Sequence, residues 1–186
     1  MTPLQIDRPQ RKVSNWVSGV FIVGLLVASV VMGFLETEGD IANGIPAPAF
    51  SFERFTGGQV TSTELKGEVV MLDFWATWCP PCVEEMPMLV KLAKEYESKG
   101  VRFVAVSHDD PDSAKDDVTA FINHEVPGLK PFAAYGDPIT GAAFKVRALP
   151  TIYILDRKGK IIGSQTGQVS ERKVRSWLDK ALLSAE

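Results

Sequence analysis

Hydrophobic and polar positions fall into several distinct rhythms along the chain. The first is a continuous apolar run. Residues 13–35 carry no charge over 23 positions and include Val20, Phe21, Ile22, Leu25, Leu26, Val30 and Val31. A helix rises about 1.5 Å per residue, so ~20 such residues cross a ~30 Å hydrocarbon layer. The run therefore predicts a transmembrane anchor at 13–35. Arg8, Arg11 and Lys12 lie in the tail before it (1–12), and Glu36, Glu38 and Asp40 follow it. Positive charge stays inside, so the expectation is a single-pass protein of the inner (cytoplasmic) membrane. Its N-terminus is cytoplasmic and the remainder is periplasmic or otherwise extracytoplasmic. A cleaved signal peptide fits less well, because its apolar region spans ~7–15 residues and ends in a small-x-small site. Residues 36–47 contain Gly39, Asn43, Gly44 and Pro46 and read as a linker, which leaves a folded domain at 48–186.

Within that domain the rhythm changes repeatedly. Phe50, Phe52 and Phe55, then Gly57-Gly58 and Val60, predict an opening hairpin. Residues 69–75 form a nearly unbroken apolar strand of the kind buried on both faces. A helix over 80–99 follows, with Val83, Met86, Leu89, Leu92, Ala93 and Tyr96 every three or four positions and Pro87 as a kink. A second strand covers 101–106. Asp110-Pro111 is read as the N-cap and first-turn proline of a helix carrying Val118, Phe121 and Ile122. A short strand at 132–135, a short helix at 140–145, a hairpin of 151–155 with 160–163 and a last helix from Ser170 complete the pattern. This order predicts an α/β fold with a mixed sheet and helices on both faces.

Composition narrows the function. There are 20 Lys+Arg against 23 Asp+Glu, and no basic cluster to bind nucleic acid. With 45% hydrophobic residues the chain is too apolar to be disordered. Two cysteines exclude a disulfide-dense scaffold and a four-cysteine zinc site. His108 and His124 are far apart in sequence and read as surface residues, so no metal is expected. Asp109, Asp110, Asp112, Asp116 and Asp117 read as a solvated acidic helix start. No glycine-rich phosphate loop is present, and no cofactor is expected.

The two cysteines, Cys79 and Cys82, stand where the buried strand passes into the long helix, in Asp73-Phe-Trp-Ala-Thr-Trp-Cys-Pro-Pro-Cys82. A disulfide can close across a first helical turn. Once it is reduced, the free N–H groups of a helix start favour thiolate at Cys79, and thiolate is the attacking species in disulfide exchange. Pro80 and Pro81 fit a first turn but remove two N–H donors. Trp78 can cover the sulfur pair. A bare C-x-x-C is also compatible with half of a metal site or an inert structural disulfide.

The whole segment resembles the active site of the thioredoxin superfamily. With the apolar anchor, Glu84-Glu85-Met86-Pro87 and the 146–151 stretch, it is similar to the membrane-anchored thiol–disulfide oxidoreductases of the TlpA/ResA type. The resemblance implies a thioredoxin-like fold, Cys79 as nucleophile, Cys82 as resolving cysteine and a redox-active Cys79–Cys82 disulfide. It also implies a cis bond before Pro150, with Leu149, Pro150, Thr151, Trp78, Pro80 and Pro81 against the substrate. Asp73 and Glu85 become candidate proton-handling acids. The implied partners are disulfide-containing secreted proteins such as apo-cytochrome c, together with a membrane thiol electron donor. An oxidase or isomerase, or a Cu(I)-handling module, are the alternative readings.

Overall fold

The computed structural model describes residues 44–184. The predicted tail and membrane anchor, and most of the linker, lie outside the described residues. Among the described residues no helix is long and apolar enough to cross a membrane.

The elements run β1 (Ser51–Arg54), β2 (Gln59–Thr61), β3 (Val69–Trp75), α1 (Pro80–Tyr96), β4 (Val101–Ser107), α2 (Ala114–His124), β5 (Ala133–Tyr135), α3 (Pro138–Ala143), β6 (Thr151–Leu155), β7 (Ile161–Thr166) and α4 (Glu171–Leu183). They build one seven-stranded sheet in the order β2-β1-β5-β4-β3-β6-β7. β3 pairs in parallel with β4 and antiparallel with β6, so the sheet is mixed as expected. Every residue of β3 is buried, which explains its unbroken apolar run. Its side chains alternate between two cores. Val69, Met71 and Trp75 join α1, α2 and α4, whereas Val70, Leu72 and Phe74 meet Phe50, Phe52, Phe144 and Tyr153.

Several boundaries differ from the sequence expectation, each for a local reason. The long helix is α-helical to Tyr96 and closes in a 3-10 turn, Glu97–Lys99, with Gly100 at φ 88°. The helix assigned to Asp110-Pro111 starts later, at Ala114. The Asp110 carboxylate accepts from the Asp112 N–H at 2.9 Å, two residues on, and so stabilises a turn instead of a cap. The short helix starts earlier than 140: Asp137 accepts from the Thr140 N–H at 2.9 Å and Pro138 occupies the first turn. Ser170 takes the N-cap position of α4 as expected, although its side chain makes no capping bond. β7 extends to Thr166, beyond the predicted 163.

The register decides where chemistry can occur. Trp75 and Ser107, at the carboxyl ends of β3 and β4, are paired neighbours, and Phe74 pairs with Thr151 at the start of β6. Three segments therefore converge on one edge: the residues after β3, those after β4 and those before β6. In open α/β sheets this carboxyl edge is where ligands bind.

Candidate active site

Cys79 and Cys82 are joined as a disulfide, with Cα atoms 5.3 Å apart. Cys79 holds the N-cap position of α1 in an extended conformation, and Pro80 and Pro81 fill the first turn. Proline is tolerated there because those N–H groups have no partner inside the helix. Cys79 is 4% exposed and Cys82 fully buried, so Cys79 is the outer sulfur. Trp78 stands beside the pair and is 66% exposed.

The loop before the cysteines is held by a residue that sequence reasoning placed elsewhere. Asp109 is buried and does not belong to a solvated acidic face. Its carboxylate accepts from the Thr77 N–H at 3.1 and 3.2 Å, from the Thr77 hydroxyl at 2.6 Å and from the Ser107 hydroxyl at 2.7 Å. The His108 N–H donates to the Trp75 carbonyl at 2.7 Å. Hydrogen bonds to a carboxylate are among the stronger ones, so this cluster fixes the entry to α1. Parallel pairing of β3 and β4 brings these residues together, and that pairing is the signal that could have found Asp109.

A groove runs past Cys79. Trp78, Pro80 and Pro81 form one wall, and Val146, Arg147, Ala148 and Leu149 form the other. His108 also lines it, so the reading of His108 as a surface residue is corrected. Its ring packs edge-on to Phe74 at 5.4 Å, and a Cβ at Gly141 would come within 2.6 Å of it. Burial pushes the imidazole below its usual pKa, with Asp137 and Asp109 pulling it part of the way back. His124 is exposed, as expected. The Leu149–Pro150 bond is cis. Thr151 is wholly buried and its hydroxyl donates to the Ala148 carbonyl at 2.7 Å. It therefore braces the groove wall from behind, while Leu149 faces the groove.

Asp73 and Glu85 both lie in the interior. Asp73 is fully buried on β3, and neither carboxyl oxygen has a hydrogen-bond partner. Burial raises its pKa well above the ordinary value, and the charge of Glu85 raises it further. Glu85 is only 4% exposed; its Oε2 accepts from the Val169 N–H at 3.0 Å and its Oε1 is unpartnered. Burial pushes Glu85 up to about 7, opposed in part by that hydrogen bond. Among the described residues no three His, Cys, Asp or Glu side chains are grouped to hold a metal ion.

Residues 42–182 match the family model described as Redoxin. The chain belongs to the Redoxin family. The thiol-disulfide oxidoreductase ResA of Bacillus anthracis is 34% identical over 167 residues, covering 86% of this chain and 93% of the relative. The thioredoxin-like protein YneN of Bacillus subtilis is 32% identical over 168 residues, covering 89% of this chain and 97% of the relative. A Chlorobium tepidum structure described as a candidate thiol:disulfide interchange protein DsbE superposes with TM-score 0.67 at 30% identity, over 77% of this chain and 99% of that one.

This redoxin thus has the thioredoxin-like α/β fold that its motifs implied. It is a thiol–disulfide oxidoreductase of the ResA type, and Cys79–Cys82 is its C-x-x-C pair. Thiol–disulfide exchange takes the place of the inert-disulfide and metal-half-site readings of that pair.

Proposed function

We propose that this redoxin is a membrane-anchored reductase of extracytoplasmic protein disulfides. The observation that carries the direction of exchange is the poverty of thiolate stabilisation at the cysteines. Pro80 and Pro81 remove two N–H donors from the helix start, the ionisable side chains buried beneath the cysteines, Asp73 and Glu85, are carboxyls, and the groove's cation, Arg147, stands on the opposite wall. A dithiol becomes a strong oxidant when its reduced form is strongly stabilised, and this site does little to stabilise it. The apolar run at 13–35 and the flanking charges support an anchor in the inner membrane with the redoxin domain outside.

In the proposed cycle a substrate segment lies extended in the groove and pairs with the backbone at Leu149 by strand addition. The Cys79 thiolate attacks one substrate sulfur; the substrate S–S bond breaks, and the other sulfur leaves as thiolate and takes a proton. Cys82 then loses its proton to a buried carboxylate, and its sulfur attacks Cys79 Sγ. The mixed disulfide breaks, the second substrate sulfur departs, and the protein is left oxidised, the state in which the cysteines are seen here. Two electrons return from a membrane thiol donor. Secreted thiol proteins such as apo-cytochrome c fit as substrates.

The test is the equilibrium reduction potential of the full chain in detergent micelles, read by thiol trapping in defined redox buffers. A value below about −200 mV supports the reductase, and a value near about −120 mV makes the protein an oxidant and overturns it.

A further inference from the structure

We propose that Arg147, together with Lys145, makes the groove selective for acidic substrates: the segment taken up beside Cys79 carries Asp or Glu close to its reacting cysteine. The proposal rests on the groove uptake described above and names the substrate class of that groove.

The two cations stand on a wall that is held at both ends. The Val146 N–H donates to the Gly141 carbonyl and the Lys145 N–H to the Ala142 carbonyl, each at 2.9 Å. These are the paired bonds that close a helix in a Schellman turn. Gly141 is itself seated against the His108 ring. At the other end the Thr151 hydroxyl holds the Ala148 carbonyl. Between these ties Lys145 and Arg147 are both exposed, and Arg147 lines the groove with Cys79. Lys145 takes φ 53°, and among the described residues it is the only non-glycine at positive φ. Glycine is usual at this place in such a turn, because a Cβ there is strained. Strain of this kind gathers at functional sites, and the side chain that incurs it here is a cation.

Both charges are unpaired. The ion pairs of the described residues use Arg54, Lys91, Arg102, Lys115 and Arg175, and neither Lys145 nor Arg147 is among them. The facing wall of Trp78, Pro80 and Pro81 carries no charge. The carboxylates that flank His108 are already engaged. Asp109 holds the Thr77 and Ser107 hydroxyls, and Asp137 accepts from the Thr140 N–H. A segment paired with the backbone at Leu149 turns alternate side chains to one face. The residue two positions along from the one opposite Leu149 therefore comes opposite Arg147, at the ~5 Å spacing of cross-strand neighbours. A carboxylate there meets a guanidinium that has no other partner, whereas a lysine meets a like charge. The whole chain has a net charge of −3, which by itself repels acidic segments. A preference for them has to come from the groove.

The experiment uses the reduced full chain in uncharged detergent micelles and two synthetic peptides. Each peptide has a single cysteine, blocked as its 2-pyridyl disulfide. One carries Glu two positions before and two after that cysteine, and the other carries Lys there. The Cys79 thiolate attacks the peptide sulfur, the S–S bond breaks, and thiopyridone leaves with the electron pair and a proton and is read by absorbance. At low salt the rate constant for the Glu peptide should exceed that for the Lys peptide about tenfold, and in about 1 M salt the ratio should fall towards one. Arg147→Glu should invert the ratio. Lys145→Gly should reduce it about twofold and, by relieving the left-handed backbone, raise the midpoint of urea unfolding. A ratio near one in the wild type overturns the proposal. So does an Arg147→Glu variant that slows both peptides equally, which would make Arg147 a support of the Cys79 thiolate or of the wall. The ratio is internal to each variant, so a loss of folded protein does not move it. The pyridyl leaving group drives the reaction at any reduction potential of the protein, so failure here is separate from failure of the reductase reading.

Discussion

The two faces of β3 are equally buried and entirely different in character. On one face Val70, Leu72 and Phe74 meet Phe50, Phe52, Phe144 and Tyr153. The Phe74 ring lies 5.3 Å from that of Phe144, 6.1 Å from that of Tyr153 and 6.3 Å from that of Phe52. The Tyr153 hydroxyl enclosed there donates to the Phe144 carbonyl at 2.6 Å, whereas Nε2 of His108, whose ring packs on Phe74 at the edge of this face, is buried without a partner. On the other face Met71 and Trp75 pack beneath α1, and there Asp73, Glu85 Oε1 and the Trp75 indole N–H are buried without partners. Uncompensated polar burial costs stability. One strand thus supplies an aromatic core with one unpartnered imidazole nitrogen at its edge and a core that encloses two carboxyls, and the face with the carboxyls is the one carrying the cysteines. Perturbed acids gather where chemistry is done, and the aromatic face supplies the stability that offsets them.

The strongest way to break this comparison is to damage the aromatic face. Phe52 is 1% exposed and stacks at 5.3 Å on Phe50. Phe52→Ala should cost about 3–5 kcal/mol in chemical denaturation, the usual range for a fully buried phenylalanine. The exchange rate per folded molecule should remain within about twofold, since the cysteines and the buried acids are on the other side of the sheet. A matching collapse of the rate in folded protein would show that the two faces do not divide the work.

The second variant should move stability the opposite way. Glu85 is lifted from 4.5 to about 7 in the folded protein. Between those values the folded state holds a proton that the unfolded state has released, so stability falls as pH rises through this window. Glu85→Gln removes that dependence and keeps an oxygen to accept from Val169. It should match wild type near pH ~4 and exceed it by up to about 3 kcal/mol near pH ~8, at one pKa unit per ~1.4 kcal/mol. Exchange should slow while stability rises. Denaturation curves across that range check it, and a variant less stable than wild type near pH ~8 sinks the idea that Glu85 is held at a cost.

How much of the molecule was legible in advance depends on the range of the forces involved. β3, α1, the β6–β7 hairpin and α4 are written in local periodicity, and the C-x-x-C at the strand–helix junction carries its own chemistry. The two Asp-Pro pairs show where local reading ends. Asp110 bonds the N–H two residues on and makes a turn, while Asp137 bonds the N–H three residues on and caps α3. The dipeptide is the same, and the residues downstream of it decide between turn and cap. Asp109 was invisible because its partner Thr77 is 32 positions away and meets it only once β3 and β4 pair. His108 looked like an isolated surface residue until Gly141 of α3 is seen to press against its ring. Glu85 stands beside Glu84 in sequence, yet the Val169 segment, 84 positions on, buries it. The site was legible in its reacting atoms and hidden in the residues that hold and charge them.

The smallest effect is the most direct comparison of the two faces, because it removes a matched polar group from the aromatic one. Tyr153→Phe deletes one hydroxyl, keeps the ring among Phe74 and Phe144, and withdraws the donor from the Phe144 carbonyl. A typical buried hydrogen bond contributes about 1 kcal/mol net, and a stranded carbonyl adds to the loss. Tyr153→Phe should therefore destabilise by about 1–2 kcal/mol by chemical denaturation, with exchange unchanged. Glu85→Gln also neutralises a polar group in the same sheet's core, yet it should stabilise. Opposite signs from two such deletions would place the difference between these two groups in pairing and not in burial, which they share. A neutral or stabilising Tyr153→Phe would mean that the aromatic face gains nothing from its matched hydroxyl, and packing alone would then distinguish the two sides.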